Sequence, residues 1–270
     1  MLIQNLHTHT KYCDGKNSPE EIVLEAINKG FSSIGFSGHS YADFSPWCRK
    51  HGDFTDEYIK DVLNLKEKYK DKIKVYLGLE VEMYAKPDMS VYDYLIGSLH
   101  YVKLGNEYIG IDKNSNEVEN IINTYFNGSG IEYAKFYYEN LAKMPECGKF
   151  DIIGHFDLIT KHSDKVAFFD ETSKEYLSAA FEAAEVLAKK IPFFEVNTGA
   201  IARGYRKTPY PSIPIIKRLK ELGLGAIITS DCHNKEMLDY GFGVAEELLK
   251  QCGFKEKFIL TDNGFEGSSI

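Results

Sequence analysis

Residues 2–10 read LIQNLHTHT, a short and mainly apolar run that ends in two histidines, His7 and His9. Side chains two residues apart on a strand point to the same side, so both imidazoles can bind one metal ion. An HxH pair is weak evidence alone, because such short matches arise by chance. The same spacing recurs in ITSDCHN, where Asp231 and His233 follow another apolar run. Two distant segments of this kind favour a shared site.

Six of the eight histidines lie where a short apolar run ends, and two carboxylates do the same. These residues are His7, His9, His39, His100, His155, His233, Glu80 and Asp231. Glu80 interrupts the apolar run VYLGLEV, and a buried carboxylate is costly unless it is paired or bound to metal. Parallel α/β barrels collect active-site residues at the carboxyl ends of their strands. Imidazole and carboxylate groups from several strands therefore predict a transition-metal site.

The rest of the chain alternates strand-like apolar runs with amphipathic stretches. We predict strands at residues 2–6, 33–37, 74–79, 94–99, 151–154, 193–197 and 224–229. We predict helices from a capped start at Ser18 to Gly30, and at residues 56–69, 117–126, 132–142, 173–189, 212–222 and 244–251. This order indicates parallel strands in a barrel or a doubly wound sheet. A doubly wound sheet gathers ligands at one switch point, whereas these come from the first strand to the last, which favours a barrel.

Composition excludes several classes of protein. The net charge of −8 argues against a broad basic face for nucleic acid. Five scattered cysteines without a CxxC pair are typical of free thiols in a reducing compartment. The first residues lack the pattern of a signal peptide, and no apolar run approaches the roughly 20 residues that span a bilayer. We expect one cytoplasmic domain over residues 1–270 that binds neither membrane nor nucleic acid; its oligomeric state is open.

Two further candidate ligands are less distinctive on their own. Asp14 precedes Gly15 in KYCDGK, where a turn aspartate is an equally good interpretation. His39 lies among small residues in FSGHS, where a lone histidine is more often a hydrogen-bonded loop residue. Their position in the series of motifs makes both of them candidates.

The ordered motifs HTHT, D, GHS, GLE, SLH, GHFD and SDCH resemble those of the polymerase-and-histidinol-phosphatase (PHP) family, and in particular its histidinol-phosphate phosphatases. The similarity runs from His7 to His233. It implies a distorted, seven-stranded (β/α)7 TIM-like barrel that binds three divalent metal ions, which are zinc, manganese or iron. It also implies hydrolysis of L-histidinol phosphate to L-histidinol and phosphate in histidine biosynthesis.

The resemblance also implies a metal ligand at nine positions, in three sets, of which the first two share Glu80. The sets are His7, His9, Glu80 and Asp231; Glu80, His100 and His155; and Asp14, His39 and His233. Some relatives have histidine where Asp14 stands, which exchanges one ligand type for another. Adjacent metal ions acidify a shared water, so a metal-bridging hydroxide is the expected nucleophile. Glu80, as the bridging ligand, and Asp231 are the expected catalytic residues. The candidate general acid is Asp231 or a metal-bound water beside it.

Phosphate also requires positive side chains. Arg203 and Arg206 lie in NTGAIARGYRK after a predicted strand, and guanidinium matches phosphate as a forked donor. NTGAIARG is similar to the phosphatase pattern, so Arg203 is the stronger candidate, and Arg206 could instead face solvent. Lys161 stands where related phosphatases carry a basic residue, although a solvated loop lysine is an equal alternative.

Other residues have open roles. Residues 41–54 contain the only tryptophan, Trp47, and could form a lid over the substrate or pack against their own aromatic side chains. The amine of the substrate would require a carboxylate, for which the candidates are Asp43, Glu82 and Glu107. His51 and His162 lie outside the motifs, and we interpret them as surface residues or as groups behind the site.

Three alternatives differ in function. A PHP-family phosphoesterase could act on another phosphate ester, such as a nucleotide, a phosphodiester or phosphotyrosine. A non-catalytic PHP module would bind metal for structure, but such modules usually lose ligands, and none of the expected positions has lost one. A single-metal amidohydrolase also begins its barrel with HxH. Asp14 and Glu80 favour three metal ions over that alternative.

Overall fold

Seven parallel strands build a barrel in the computed structural model of the protein, which describes residues 3–270. The strands within those residues are β1 (Gln4–Asn5), β2 (Ser33–Phe36), β3 (Lys74–Glu82), β4 (Tyr94–Ser98), β5 (Tyr101–Leu104), β6 (Glu107–Gly110), β7 (Ile152–Ile153), β8 (Phe193–Asn197), β9 (Gly225–Thr229), β10 (Glu256–Thr261) and β11 (Gly264–Ser269). The barrel order is β1-β2-β3-β4-β7-β8-β9. The predicted barrel and its seven strands are confirmed, although Leu2 of the first predicted strand lies outside the described residues.

Helices alternate with these strands along the chain. They are α1 (Pro19–Asn28), α2 (Pro46–His51), α3 (Thr55–Lys68), α4 (Ser115–Tyr125), α5 (Gly130–Leu141), α6 (Met144–Cys147), α7 (Lys174–Leu187), α8 (Gly199–Ala202), α9 (Ile213–Glu221) and α10 (Phe242–Gln251). The seven longer helices were predicted, and α1 begins with the expected capping box between Ser18 and Glu21. Within residues 3–270, none of the helices combines the length and apolar character needed to cross a bilayer.

The barrel closes where its first and last strands end. Thr8 and Cys232 form a parallel bridge, in which His9 N donates to Cys232 O (2.8 Å) and Cys232 N donates to His7 O (3.0 Å). A second parallel bridge joins His39 to Glu80, beyond the end of β2. Backbone pairing therefore continues into the segments that contain the predicted ligands, and it fixes them at the carboxyl end of the barrel.

Tyr94 fills the barrel interior beside β2 and β3. Its side chain is 1% exposed, and its hydroxyl donates hydrogen bonds to the carbonyl oxygens of Leu6 and Phe36. Gly35 and Gly78 lie so close to this ring that an added Cβ would be 2.4 Å from Tyr94 Oη and 2.2 Å from Tyr94 Cζ, respectively. Glycine at these two positions therefore makes room for the tyrosine.

The hairpin β10–β11 covers the opposite, amino-terminal end of the barrel. The Gln4 side chain at the start of β1 donates to Leu260 O (2.8 Å) and accepts from Leu260 N (2.8 Å). Phe258 packs on Phe193 at the start of β8, with ring centroids 5.0 Å apart. An apolar cluster that includes Leu6 and Leu260 joins the hairpin to the barrel interior. The hairpin seals the end away from the predicted ligands.

Candidate metal centre

Glu80 is the residue on which the imidazoles converge. It lies on β3 and is 1% exposed. Its two carboxylate oxygens lie 2.8–3.5 Å from ring nitrogens of five histidines, which are His7, His9, His39, His100 and His155. These histidines follow four different strands, β1, β2, β4 and β7. The closed barrel thus brings side chains from distant parts of the sequence into contact with one carboxylate.

Asp231 follows β9 and completes the cluster on the side of β1. Its Oδ1 lies 3.1 Å from His9 Nε2 and 3.7 Å from His7 Nε2. Its backbone is left-handed, with φ of 47°, a strained conformation that is common at functional sites. Burial alone would raise the pKa of Asp231, but Arg203 and His7 hold it well below its usual value. A carboxylate with a lowered pKa is better suited to binding a metal ion than to donating a proton.

Asp14 and His233 form the outer edge of the cluster. Asp14 Oδ2 lies 3.2 Å from His233 Nε2, and Asp14 Oδ1 lies 3.6 Å from His39 Nε2. The rings of His9 and His233 are stacked, with centroids 4.0 Å apart. All nine predicted ligand side chains are therefore brought together, including Asp14, for which the sequence left a simple turn residue as an alternative.

The cluster contains polar atoms whose bonding capacity is unused. Among the described residues, His7 Nε2, His9 Nε2 and Glu80 Oε2 are buried without a hydrogen-bond partner. Such atoms are costly unless something binds them. Candidate ligand atoms form three overlapping sets, each within 4.8 Å, which are His9, Asp14, His39 and His233; His7, His9 and Glu80; and His39, Glu80 and His100. Imidazole nitrogen and carboxylate oxygen are ligands that transition metals prefer. The residues therefore fit metal ions.

The ionisation of the cluster also favours bound cations. Burial alone would raise the pKa of Glu80, but imidazoles, led by His7 and His100, lower it well below its usual value. Burial alone would lower the pKa of His7, but carboxylates, led by Glu195 and Glu80, raise it well above its usual value. The buried carboxylates thus require positive charge, which protons on the imidazoles or metal ions can supply. Metal binding releases those protons and uses the neutral imidazoles as ligands.

A cavity of about 340 Å³ opens beside the cluster. Its wall contains the predicted ligands Asp14, His39, His100, His155, Asp231 and His233. This volume lies at the lower end of the roughly 300–1,000 Å³ typical of small-molecule sites. The cavity therefore suits a small ligand that contacts the cluster directly.

Arg203 and Lys161 both line this cavity. Arg203 Nη2 donates to Asp231 Oδ2 (2.9 Å), and Arg203 Nη1 lies 2.9 Å from His233 Nδ1. Lys161 Nζ donates to Asp112 Oδ2 (2.7 Å). The structure thus places two of the three predicted basic residues next to the cluster, with their charges partly balanced by aspartates.

The structure places Arg206, which the sequence predicted to bind the substrate, outside the wall of this cavity. Its side chain is 7% exposed and does not line the cavity. It donates two hydrogen bonds to the Glu171 carboxylate (2.8 and 3.1 Å) and one to Thr160 O (2.7 Å). The side chain does not face solvent either, which was the alternative. The Arg206 guanidinium forms an ion pair with Glu171, which lies 35 residues away in the sequence, so the local sequence pattern could not indicate this partner.

Residues 41–54 contribute to the cavity wall and also pack their own aromatic side chains, which was one of the two alternatives. Trp47, on the short and unpredicted helix α2, lines the cavity. The segment also packs its own aromatic side chains, since Trp47 stacks on His51 with ring centroids 4.7 Å apart. Phe44 stacks on Tyr108 of β6, with centroids 4.1 Å apart. This packing holds one side of the cavity in place.

One of the three carboxylates considered for the substrate amine, Glu82, lines the cavity. Its Oε2 accepts a hydrogen bond from His100 N (2.9 Å) and lies 3.2 Å from His100 Nδ1. Asp43 and Glu107 are exposed and lie outside this cavity wall. Asp112, which was not predicted, contributes a further carboxylate to the wall.

The two histidines outside the motifs have different positions. His51 is exposed. His162 is buried behind the cavity wall, where its Nε2 lies 3.1 Å from Asp112 O. His51 is therefore a surface residue and His162 lies behind the site, which are the two positions that the sequence left open for both histidines.

Glu195 is the principal residue of the site that sequence analysis missed. It lies on β8, is fully buried, and places Oε2 2.8 Å from His7 Nδ1. A signal was present, because Glu195 interrupts the apolar run FFEV as Glu80 interrupts LGLEV. A carboxylate inside an apolar strand requires buried partners, and here those partners include a predicted ligand.

Comparison with known proteins identifies the family. Residues 5–199 match the family model of the PHP domain. The chain belongs to the PHP family. Seven of the nine predicted ligands fall within the matched residues, while Asp231 and His233 lie beyond them. The family membership predicted from the ordered motifs is confirmed.

Relatives align along nearly the whole PHP chain. A probable histidinol-phosphatase from Schizosaccharomyces pombe is 26% identical, over 97% of this chain and 90% of the relative. A histidinol-phosphatase from Bacillus subtilis is 22% identical, over 91% of this chain and 98% of the relative. The crystal structure of histidinol phosphate phosphatase from Lactococcus lactis, complexed with zinc, L-histidinol and phosphate, has a TM-score of 0.75 at 21% identity and covers 97% of this chain and 98% of that one. This likeness shows a shared fold.

Proposed function

We propose that the protein is a cytoplasmic, metal-dependent histidinol-phosphatase, which hydrolyses L-histidinol phosphate to L-histidinol and phosphate in histidine biosynthesis. The proposal depends on one observation, the convergence of nine imidazole and carboxylate side chains beside a cavity that also contains Arg203 and Lys161. The names of the relatives support the choice of substrate. So does the solved neighbour, which binds zinc, L-histidinol and phosphate.

In this proposal, three divalent ions of zinc, manganese or iron bind at Glu80 and the side chains around it. Their ligand sets are those expected from the PHP resemblance: His7, His9, Glu80 and Asp231; Glu80, His100 and His155; and Asp14, His39 and His233. When bound, such ions supply an acidified water as the nucleophile and offset negative charge on phosphoryl oxygens. The overlapping sets of ligand atoms around Glu80 favour several ions over one.

Residues of the cavity wall bind and orient the ester. The Arg203 guanidinium presents forked N–H donors at the edge of the cluster, and Lys161 adds a second positive charge. Phosphate bound there would compete with Asp231 and Asp112 for these two cations. Glu82 supplies negative charge for the amine of the substrate. Opposite charges along one small cavity suit a ligand with phosphate at one end and an amine at the other.

The leaving alcohol must receive a proton. Asp231 was the candidate donor, but Arg203 and His7 hold its pKa well below the usual value despite its burial, and it accepts a hydrogen bond from Arg203. We therefore assign Asp231 to metal binding and to positioning Arg203, and we assign proton delivery to a water molecule beside it. Proton transfer in enzymes can pass through one water molecule.

A panel of phosphate esters tests the substrate. The purified, metal-loaded protein is assayed with L-histidinol phosphate, phosphotyrosine, a nucleoside 3′,5′-bisphosphate and bis-p-nitrophenyl phosphate. We expect kcat/KM for L-histidinol phosphate to exceed the others by at least about a hundredfold, because a site built to bind polar groups rejects esters that lack them. Faster turnover of the diester or of an oligonucleotide would contradict the proposal and favour another PHP-family phosphoesterase.

The two neighbouring arginines should give opposite results when each is replaced by methionine. Arg203→Met should lower kcat/KM by about 10- to 100-fold, which corresponds to a charge-assisted hydrogen bond of about 1.5–3 kcal/mol. Arg206→Met leaves Glu171 without its partner, so it should lower the free energy of unfolding by about 2 kcal/mol. Below its unfolding temperature, Arg206→Met should keep a wild-type KM. Steady-state kinetics and urea unfolding measure both variants, and a raised KM in Arg206→Met would contradict the assignment.

A further inference from the structure

We propose that Glu195 is a positioning residue, which fixes the ring proton of His7 on Nδ1 and leaves Nε2 free to bind metal. The inference rests on the metal centre of the proposed function. Glu195 Oε2 lies 2.8 Å from His7 Nδ1. An ionised carboxylate only accepts hydrogen bonds, so His7 Nδ1 must be the donor. His7 Nε2 points to the other side, 3.3 Å from Glu80 Oε2.

The Glu195 carboxylate is held rigidly. Its Oε1 accepts from His155 N (2.6 Å) and from Asn197 Nδ2 (2.8 Å). Its Oε2 accepts from Thr229 Oγ1 (2.8 Å) as well as facing His7 Nδ1. Four donors on two oxygens use the full acceptor capacity of a carboxylate. Since Glu195 is also fully buried, neither its rotation nor solvent can supply His7 with a different partner.

The position of Glu195 links two parts of the candidate centre. His7 follows β1 and His155 follows β7, and one carboxylate binds the ring of the first and the backbone of the second. His100 has a similar partner, because its Nδ1 lies 3.2 Å from Glu82 Oε2 while its Nε2 lies 3.4 Å from Glu80 Oε1. Carboxylates behind metal-binding imidazoles fix the tautomer and orientation of the ring. Glu195 is the more deeply buried of the two.

Replacing Glu195 with glutamine tests the inference because it reverses one hydrogen bond. His155 N and Asn197 Nδ2 both require an acceptor, so the amide oxygen must face them. The amide nitrogen then faces His7 Nδ1 and donates to it. This places the ring proton on His7 Nε2 and blocks that atom as a ligand. We expect zinc binding at the His7 position to weaken by about 10- to 100-fold.

Two readouts are independent of catalysis. Metal-free protein is titrated with Zn²⁺ against a chromogenic chelator, which gives the number of ions and their affinities. Nitrogen-15 NMR of histidine-labelled, zinc-loaded protein reports which ring nitrogen of His7 carries hydrogen. In the wild type we expect three ions and a proton on Nδ1. In Glu195→Gln we expect one weakened site and loss of the Nδ1 proton.

Thr229→Val is the matched control. It removes another donor to the same carboxylate oxygen and leaves the partner of His7 unchanged. We expect wild-type zinc affinity in this variant. A loss as large as that of Glu195→Gln would overturn the inference, because the effect would then be general disruption of β8 and β9. Wild-type zinc affinity in Glu195→Gln would overturn it equally.

Glu195→Asp keeps the test decisive if the glutamine variant does not fold. Aspartate retains an acceptor that requires a proton on His7 Nδ1, so its zinc affinity should fall less than that of the glutamine variant and its Nδ1 proton should remain. If the aspartate variant folds but lacks that proton, the inference is overturned. A wild-type protein that binds no zinc would overturn the proposed function as well. If the wild type binds zinc and substitution of Glu195 leaves the zinc affinity unchanged, only the role of Glu195 is overturned.

Discussion

Glu80→Gln should lower kcat by at least about a thousandfold while the protein remains folded. The Glu80 carboxylate lies within 3.5 Å of ring nitrogens of five histidines, which are His7, His9, His39, His100 and His155. Glutamine has nearly the same shape but lacks the negative charge that two cations would share. Metal ions supply several kcal/mol of charge stabilisation to a phosphoryl transition state, and each 1.36 kcal/mol corresponds to a tenfold change in rate. Steady-state kinetics and circular dichroism of the same sample measure both quantities.

Glu82→Gln is the control for this substitution. Glu82 lies two residues further along β3 and is also buried, but it is not a predicted ligand. We expect a smaller loss of about 10- to 100-fold, because Glu82 contacts His100 and the amine end of the substrate but is not itself a metal ligand. If Glu80→Gln unfolded the chain or left the rate unchanged, the cluster would be a structural metal site, and the catalytic role of Glu80 would be wrong.

Gly78→Ala should lower the free energy of unfolding by about 3 kcal/mol or more. The added Cβ would lie 2.2 Å from Tyr94 Cζ, well inside van der Waals contact. The tyrosine cannot move aside easily, because it is 1% exposed and its hydroxyl donates to the carbonyl oxygens of Leu6 and Phe36. The strands β1, β2 and β3 would have to separate instead. Urea unfolding measures the loss.

Gly243→Ala provides the matched control for this second prediction. Gly243 lies in α10, and within the described part of the chain an added Cβ there would have no atom within 4 Å. Alanine is favoured over glycine in helices by up to about 1 kcal/mol, so this variant should be as stable as the wild type or slightly more stable. A wild-type unfolding midpoint for Gly78→Ala would show that the barrel interior is less tightly packed than the structure indicates.

The barrel could be predicted because its strands are buried on both faces. Such strands appear in the sequence as continuous apolar runs between amphipathic helices. The two hairpins were missed because their strands lack this pattern: β6 and β11 contain no buried residue. Turn signals were nevertheless present, since Gly105-Asn106 joins β5 to β6 and Asn263-Gly264 follows β10. Turn chemistry would therefore have identified elements that apolar periodicity did not.

The candidate ligands could be predicted for a related reason. All of them except Asp14 lie where an apolar run ends, and parallel strands end on the same side of a barrel. The roles of Arg206 and Glu195 depend on partners that are distant in sequence, Glu171 in the first case and His7, 188 residues away, in the second. No local pattern indicates whether a buried charge will meet a substrate or a side chain. That distinction required the three-dimensional arrangement.

The most direct test of the metal centre is elemental analysis of purified, active protein, combined with chelation. We expect three divalent ions per chain, loss of L-histidinol phosphate hydrolysis when a chelator removes them, and recovery of activity when zinc, manganese or iron is restored. One tightly bound ion under metal-replete conditions would favour the single-metal amidohydrolase alternative. Full activity in metal-free protein would contradict the account altogether.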